Sequence, residues 1–146
     1  MDIKNYINGE YVNPISDSWI DNYNPSNGEV YGRIPNSTTE DVENAYKAAQ
    51  TAFPSWSNTT LDKRSQILSK IAQLIAEKLP ELAAAEAKDN GKPLHLAKSI
   101  DIPRAASNFQ FFANAITQFA SEAHESVGLN AINFTLRQPI GVVGCI

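Results

Sequence analysis

The sequence predicts a mixed α/β fold, in which two short β-hairpins precede a helical segment and strands return near the C-terminal end. Turn-forming residues separate short β-prone runs over residues 1–35, which is typical of hairpins. Apolar residues then recur every three or four positions over residues 37–123, the spacing of amphipathic helices. From Gly128 onward the pattern changes to that of strands. The length of 146 residues is close to that of one domain.

Both N-terminal hairpins are indicated by their turns. In the first, Asn8-Gly9 lies between two β-prone pairs, and this dipeptide favours a hairpin because both residues tolerate a positive φ. In the second, residues 24–28 (NPSNG) separate the β-prone runs 19–23 and 29–34, and Pro and Gly are typical turn residues. The sequence therefore predicts a β-rich segment over residues 1–35.

The first two of four predicted helices have clear start and stop signals. Ser37 and Glu40 have the spacing of a capping box at the start of the first helix. We expect this helix to end at Pro54, because proline removes a hydrogen-bond donor and clashes with the preceding turn. The second helix begins near Thr60, carries the most regular apolar stripe, and is interrupted at Pro80.

The other two helices follow directly. The third covers residues 81–90, and Gly91 fits the left-handed position just past a helix end. The fourth covers residues 105–123 and carries an aromatic stripe. We interpret the aromatic side chains of that stripe as core residues rather than ligand contacts, since side chains of this type are mostly buried. They are Phe109, Phe112 and Phe119.

Two strand patterns end the sequence. In residues 130–138, the apolar side chains of Ile132, Phe134 and Leu136 alternate with polar ones, as in a strand with one covered face. Residues 140–146 (IGVVGCI) form a continuous apolar run, which is typical of a strand buried on both faces in a parallel α/β sheet. No second strand of that kind follows it. We therefore expect the chain to be truncated.

Composition limits the classes of partner. The 12 basic and 16 acidic residues give a net charge of −4, and Lys and Arg are scattered, so we expect no nucleic-acid partner. A single cysteine excludes an internal disulfide and favours a reducing compartment. No apolar run is long enough for a signal peptide core or a membrane span. We expect a cytoplasmic protein without a membrane partner.

Known catalytic and metal motifs are missing. The sequence contains neither G-x-G-x-x-G nor a P-loop, and His95 and His124 have no metal-ligand spacing with Cys145. We interpret Cys145 as a small buried hydrophobic residue, because it lies in the apolar run. Asp101, between two isoleucines, is interpreted as an N-cap of the aromatic helix. A site built from the histidines and scattered carboxylates is the weakest of the functional hypotheses.

Six segments together carry a family resemblance, although each is weak alone. They are YINGEYV (6–12), NPSNGEV (24–30), AFPSWS (52–57), RSQILSKIAQLI (64–75), KDNGKP (88–93) and RQPIGVVGCI (137–146). In this order and spacing they resemble the N-terminal part of the NAD(P)-dependent aldehyde dehydrogenase superfamily. The segments DIPR (101–104) and NFQFFA (108–113) are most similar to its 2-aminomuconate and 2-hydroxymuconate semialdehyde dehydrogenase branch.

The resemblance implies a Rossmann-like coenzyme domain, a catalytic domain and a hairpin that bridges subunits. It implies oxidation of an aldehyde to a carboxylic acid through a covalent cysteine intermediate, with hydride transfer to NAD or NADP. Residues 1–146 match a partial coenzyme-binding domain, with a strand of the oligomerisation type at 130–138 and the first strand of an incomplete Rossmann-like sheet at the end. On this match, we expect the catalytic domain to be absent from these residues. The family's oxyanion asparagine, coenzyme lysine, glutamate and nucleophilic cysteine would all follow Ile146, and Cys145 does not match that nucleophile.

Three residues match binding positions of the family. Ile146 matches the start of a backbone stretch that contacts the coenzyme. Asp101 matches a carboxylate that binds a structural monovalent cation in some members, and Tyr23 matches a backbone donor to the same ion. We expect no tight binding of NAD or NADP by this chain.

Two functional hypotheses follow. In the first, the chain is an aldehyde dehydrogenase-like protein without activity of its own. In the second, it is a non-catalytic interaction module that pairs with aldehyde dehydrogenase subunits through residues 130–138, as a homo- or hetero-oligomer. Both lead us to expect partial exposure of Phe109, Phe112 and Ile71, and poor solubility or molten behaviour, because the sheet that would cover these side chains is missing.

Overall fold

The computed structural model describes residues 2–146, which form a mixed α/β structure with three separate antiparallel pairs of strands. The strands are β1 (Asn5–Ile7), β2 (Glu10–Val12), β3 (Trp19–Tyr23), β4 (Val30–Pro35), β5 (Ala123–Ser126) and β6 (Ala131–Phe134). The helices are α1 (Thr39–Ser57), α2 (Leu61–Glu77), α3 (Leu79–Asn90), the single turn α4 (Leu94–Leu96) and α5 (Ile102–Ala115). Residues Ala97–Asp101 form a π-helical turn before α5, and Val127–Leu129 form a 3₁₀ turn between β5 and β6. Within residues 2–146, no helix is both long and apolar enough to cross a membrane.

Both predicted N-terminal hairpins are present. Asn8 and Gly9 have φ values of 53° and 85°, and the tight turn that joins β1 to β2 needs a positive φ at both positions. Strand β3 pairs with β4 across the second turn, with a bulge between Asn22 and Tyr23. These turns were predictable because each needs a positive φ, and the sequence places residues that tolerate one, Asn8, Gly9 and Gly28, at the turn positions.

Helix α1 starts and ends later than the sequence predicted. The capping residues are Thr38 and Asp41 rather than Ser37 and Glu40: the Asp41 carboxylate accepts the Thr38 backbone N–H at 2.7 Å. The other Asp41 oxygen accepts the Ile15 N–H at 3.0 Å, so the same side chain ties the helix to the loop after β2. These hydrogen bonds, that from Thr38 first, hold the pKa of Asp41 below its usual value. The additional hydrogen bond to the loop at Ile15 is a long-range contact that favours Asp41 over Glu40 as the capping residue.

The predicted end of α1 at Pro54 is wrong, because the helix continues to Ser57. The Pro54 carbonyl accepts hydrogen bonds from the Ser57 hydroxyl at 3.0 Å and from the Asn58 side-chain amide at 2.9 Å. A proline in the last turn removes one backbone bond, and these polar side chains stabilise the turn that follows it.

The limits of α2 and α3 agree with the sequence. The Thr60 hydroxyl caps α2 by accepting the Lys63 N–H at 3.2 Å. The helix breaks at Lys78, and Pro80 lies in the first turn of α3. Gly91 ends α3 in the left-handed conformation with φ 77°.

The fourth predicted helix is too long. Helix α5 ends at Ala115, and Ala123–Ser126 form strand β5, which pairs with β6. The strand predicted over 130–138 is thus shorter, Ala131–Phe134, and has a partner in the chain. The hairpin turn uses Asn130 with φ 49°, a residue that tolerates the left-handed region.

The apolar run 140–146 is not a strand in this structure. A fully buried strand needs neighbours whose backbone groups pair with its own on both sides. Residues 2–146 supply no such neighbours to the run, and Ile140 is exposed. The expected first strand of a Rossmann-like sheet is therefore not formed here.

The interior is small. No large side chain of the described residues is fully buried. The buried apolar residues among them are all alanines: Ala72, Ala83, Ala97 and Ala113. The accessible surface is 10925 Å² for a mass of 16.0 kDa, whereas a folded monomer of that mass exposes about 7,400 Å². The chain thus exposes about 3,500 Å² more than a folded monomer of its mass, by the same scaling.

Candidate functional site

An open cleft of about 900 Å³ lies between α2, α5 and the segment after β6. Its lining is mostly apolar and includes three phenylalanines. The apolar residues are Leu61, Leu68, Phe111, Phe112, Ala115, Ile116, Phe119, Leu136 and Pro139, and the polar ones are Arg64, Ser121, Arg137 and Gln138. This volume is in the range of pockets that bind organic molecules or side chains of a partner.

The floor of the cleft is the contact between α2 and α5, the most extensive helix pair of the structure. Ala113 is completely buried in α5, and a side chain this small lets helices approach closely. A hydrogen bond of 3.2 Å from the Gln110 side-chain amide to the Ser69 hydroxyl fixes the same pair. The adjacent Phe112 is 60% exposed, because it projects into the cleft rather than between the helices.

Two arginines give the cleft a positive charge. The Arg64 guanidinium donates to the Ser57 carbonyl at 2.8 Å and to the Thr59 hydroxyl at 3.0 Å, neither of which carries a charge. The Arg137 guanidinium lies 4.2 Å from the centre of the Phe119 ring. Among the described residues neither arginine forms an ion pair, and the lining contains no carboxylate. The cleft is therefore apolar with a positive rim.

Asp101 lies in an ion-pair cluster near the start of α5. The Lys92 ammonium is 2.6 Å from the Asp101 carboxylate and 3.1 Å from that of Glu86. The bond to Asp101, and next that to Glu86, raises the pKa of Lys92. The predicted N-cap role of Asp101 is wrong, because its side chain makes no capping bond and its backbone is already helical.

The two residues predicted to bind a monovalent cation lie in different elements. Tyr23 ends β3, and Asp101 directly precedes α5. A cation at Asp101 would share its carboxylate with the Lys92 ammonium, which already neutralises that charge. The part of the chain that the structure describes holds no cluster of three His, Cys, Asp or Glu residues suited to a metal ion. The cation site stays a prediction.

A second polar cluster, which the sequence did not indicate, joins the β3–β4 hairpin to α3. The Tyr31 hydroxyl donates to the Asp89 carboxylate, and the Asn22 side-chain amide bonds to both, at 2.9 and 3.0 Å. The bond from Tyr31, and next that from Asn22, lowers the pKa of Asp89. The same bond to Asp89 raises the pKa of Tyr31. These residues are 9 and 58 positions apart, so only the fold brings them together.

The C-terminal candidates are exposed. Cys145 is an exposed free thiol, so the prediction that it is a buried hydrophobic residue is wrong. Among residues 2–146, no strand pairs with the run 140–146 that contains it. Ile146, the predicted coenzyme contact, is also fully exposed. The residues present do not enclose a dinucleotide at Ile146, and we assign no step to a coenzyme there.

The family model and the similar curated proteins identify the same family. The model of the aldehyde dehydrogenase family matches residues 11–146. Over 144 residues, 99% of this chain, the sequence is 46% identical to human 2-aminomuconic semialdehyde dehydrogenase, of which the match covers 29%. It is 38% identical to 2-hydroxymuconic semialdehyde dehydrogenase of Pseudomonas sp. strain CF600, over 99% of this chain and 31% of that protein.

The similar solved structures belong to the same family. The NAD⁺ complex of an aldehyde dehydrogenase from Bacillus cereus superposes with a TM-score of 0.81 at 36% identity, over 85% of this chain and 26% of that chain. An NAD-dependent aldehyde dehydrogenase from Sinorhizobium meliloti gives a TM-score of 0.83 at 29% identity, over 90% and 27%. The chain thus spans between a quarter and a third of the length of these relatives.

The structure predicts that two adjacent substitutions in α5 destabilise the chain to different extents. Phe112→Ala should lower the free energy of unfolding by less than about 1.5 kcal/mol, against about 3–5 kcal/mol for a buried phenylalanine, because the ring is largely exposed. Ala113→Leu should cost about 1–3 kcal/mol by overpacking the site of a completely buried alanine. Urea unfolding followed by circular dichroism measures both. A larger loss for Phe112→Ala than for Ala113→Leu would contradict this assignment of the two faces.

Proposed function

This chain belongs to the aldehyde dehydrogenase family, and on that basis we propose that residues 1–146 are the N-terminal part of the coenzyme-binding domain of an NAD(P)-dependent enzyme that oxidises a muconic-type semialdehyde to a carboxylic acid. The observation that carries the proposal is the match of 99% of the chain to two muconic semialdehyde dehydrogenases. The substrate class follows from the names of those relatives. The role of these residues is structural, and the chemistry belongs to the part of the fold that they do not include.

Two features of the described residues support a role without catalysis. Cys145, the only thiol, is exposed and neither accepts nor donates a hydrogen bond within residues 2–146. A cysteine nucleophile needs a base or a cationic neighbour that lowers its pKa. The Arg64 and Arg137 guanidinium groups at the cleft are donors only and cannot act as a general base.

The proposal predicts that the purified chain does not oxidise aldehydes. We expect no NADH formation from 2-aminomuconic semialdehyde or from a simple aliphatic aldehyde with NAD⁺ or NADP⁺, because within residues 2–146 the single thiol, Cys145, is exposed and has no hydrogen-bond partner. Absorbance of the reduced coenzyme measures this, with the intact human relative as the positive control. Turnover by this chain that disappears in Cys145→Ser would contradict the proposal.

A second candidate function, an interaction module, is favoured by the β5–β6 hairpin. All four residues of β6 are exposed, and the extensive contacts of the hairpin are between its own strands. Ile132 is 73% exposed on this strand. An isolated two-stranded hairpin is marginally stable in water, whereas addition to the edge of another sheet satisfies its free backbone groups.

This candidate predicts a complex with intact aldehyde dehydrogenase subunits. When the chain is mixed with the full-length human relative, it should elute earlier in size-exclusion chromatography, and light scattering should give the mass of a complex. Ile132→Lys should abolish the shift, because it places a charge in the proposed contact. Val42→Lys, at an exposed position of α1, is the matched control and should leave the shift unchanged. An unchanged elution volume of the unmodified chain would exclude this function.

A further inference from the structure

Three Asn-Gly pairs occur in the sequence, and each is a potential site of deamidation. They are Asn8-Gly9, Asn27-Gly28 and Asn90-Gly91. In deamidation, the backbone nitrogen of the following residue attacks the side-chain carbonyl carbon of asparagine. Glycine hinders this approach least, because it has no Cβ. Since the three pairs share the same chemistry, the structure around each pair decides which of them reacts.

Hydrogen bonds hold both reacting groups of Asn27-Gly28. The Asn27 side-chain amide donates to the Glu29 carboxylate at 2.8 Å, and its oxygen accepts the Glu29 backbone N–H at 3.1 Å. The Gly28 N–H, which is the attacking group, donates to the Asn24 carbonyl at 2.8 Å. The side chain must turn and the nitrogen must leave its carbonyl partner before they react, so these bonds slow deamidation at this pair.

The Asn90-Gly91 pair at the end of α3 is held in the same way. The Asn90 side-chain amide donates to the Glu86 carboxylate, and its oxygen accepts the Lys92 backbone N–H at 2.9 Å. The Gly91 N–H donates to the Ala87 carbonyl at 3.0 Å, which completes the last turn of the helix. Deamidation at this pair therefore requires the end of the helix to open.

Neither reacting group of Asn8-Gly9 is held. Within residues 2–146, the Asn8 side chain and the Gly9 backbone N–H make no hydrogen bond. Asn8 is exposed at the tip of the first hairpin. Apart from the adjacent residues, no heavy atom lies within 4 Å of the position that a Cβ would occupy at Gly9. The two groups and solvent can therefore meet without first breaking a hydrogen bond.

We propose that Asn8 is a site of spontaneous modification, at which deamidation converts the tip of the first hairpin to aspartate and isoaspartate. The Gly9 nitrogen loses its proton to a base and forms a bond to the Asn8 Cγ. The Cγ–Nδ2 bond breaks and ammonia leaves, which gives a cyclic imide. Water then opens the imide at either carbonyl, and no oxidant or reductant is consumed.

The isoaspartate product changes the hairpin itself. Its main chain runs through the former side-chain carbon, so the turn gains one backbone atom and a negative charge. The present register pairs Ile7 with Glu10 across a two-residue turn, and the length of the turn sets that register. The contact of the Tyr6 and Tyr11 rings, whose centres are 5.0 Å apart, depends on the same register. We therefore expect isoaspartate at position 8 to loosen the pairing of β1 with β2.

The test follows all three pairs in one sample. The protein that contains residues 1–146 is incubated at neutral pH and body temperature in water enriched in ¹⁸O, and each Asn-Gly peptide is quantified by mass spectrometry after digestion at acidic pH. We expect Asn8 to deamidate at least tenfold faster than Asn27 and Asn90, and its product to carry one ¹⁸O atom. In concentrated urea, which removes the protecting hydrogen bonds, the three rates should agree within threefold.

The effect on the hairpin has its own control. Asn8→Asp places the same charge at the tip without the extra backbone atom. Backbone amides of β1 and β2 should exchange hydrogen at least threefold faster in the purified isoaspartate form than in the unmodified protein, and Asn8→Asp should leave them unchanged. Equal deamidation of the three pairs in the folded protein, or the same order of rates in urea, would overturn the proposal. Neither readout depends on aldehyde oxidation, so the proposed function can fail without affecting this result.

Discussion

The contact of α2 and α5 is the interaction on which the rest of the structure depends. Ala72 of α2 and Ala113 of α5 are buried, and α3 and the turn before α5, which contact α5, each carry a buried alanine as well. Small side chains hold this interior, and the large ones remain on its outer face. Phe112 directly precedes the buried Ala113 on α5 and is 60% exposed, so the two side chains lie on different sides of the helix. The apolar cleft is thus a consequence of how the two helices pack.

Local signals in the sequence predicted most of the elements. Asn8-Gly9, Thr60 and Gly91 each act through their own backbone or that of residues three or four positions away, so their effects were visible without knowledge of the fold. The interpretation of the aromatic stripe as core is wrong, because Phe109, Phe112 and Phe119 are 38%, 60% and 64% exposed; the separate expectation that Phe109 and Phe112 are partly exposed is confirmed. Sequence patterns were sufficient wherever the determining contact is short-range.

The errors arose where a distant residue decides the structure. Asp41 replaces the predicted cap because it also binds the loop at Ile15, and the apolar run at the end of the chain forms no strand because a strand depends on its neighbours. The predicted fourth helix extended to Ala123, the first residue of β5, because β5 was not recognised as the partner of the strand at β6. At the candidate site, the ion pair of Asp101 with Lys92 crosses the end of one helix and the start of another. Their nine-residue separation in the sequence carries no periodic signal that would predict the pair.

The central claim is that this chain folds with an open apolar cleft between α2 and α5, lined by exposed aromatic side chains. The most direct test is the fluorescence of 8-anilinonaphthalene-1-sulfonate, a dye that brightens on exposed apolar surface, at constant helical circular dichroism. We predict strong enhancement with the purified chain under native conditions, and a marked reduction in Phe112→Asp, because that side chain lies in the cleft. Fluorescence no greater than that of a folded monomeric protein of the same size, with the helical signal intact, would contradict the account.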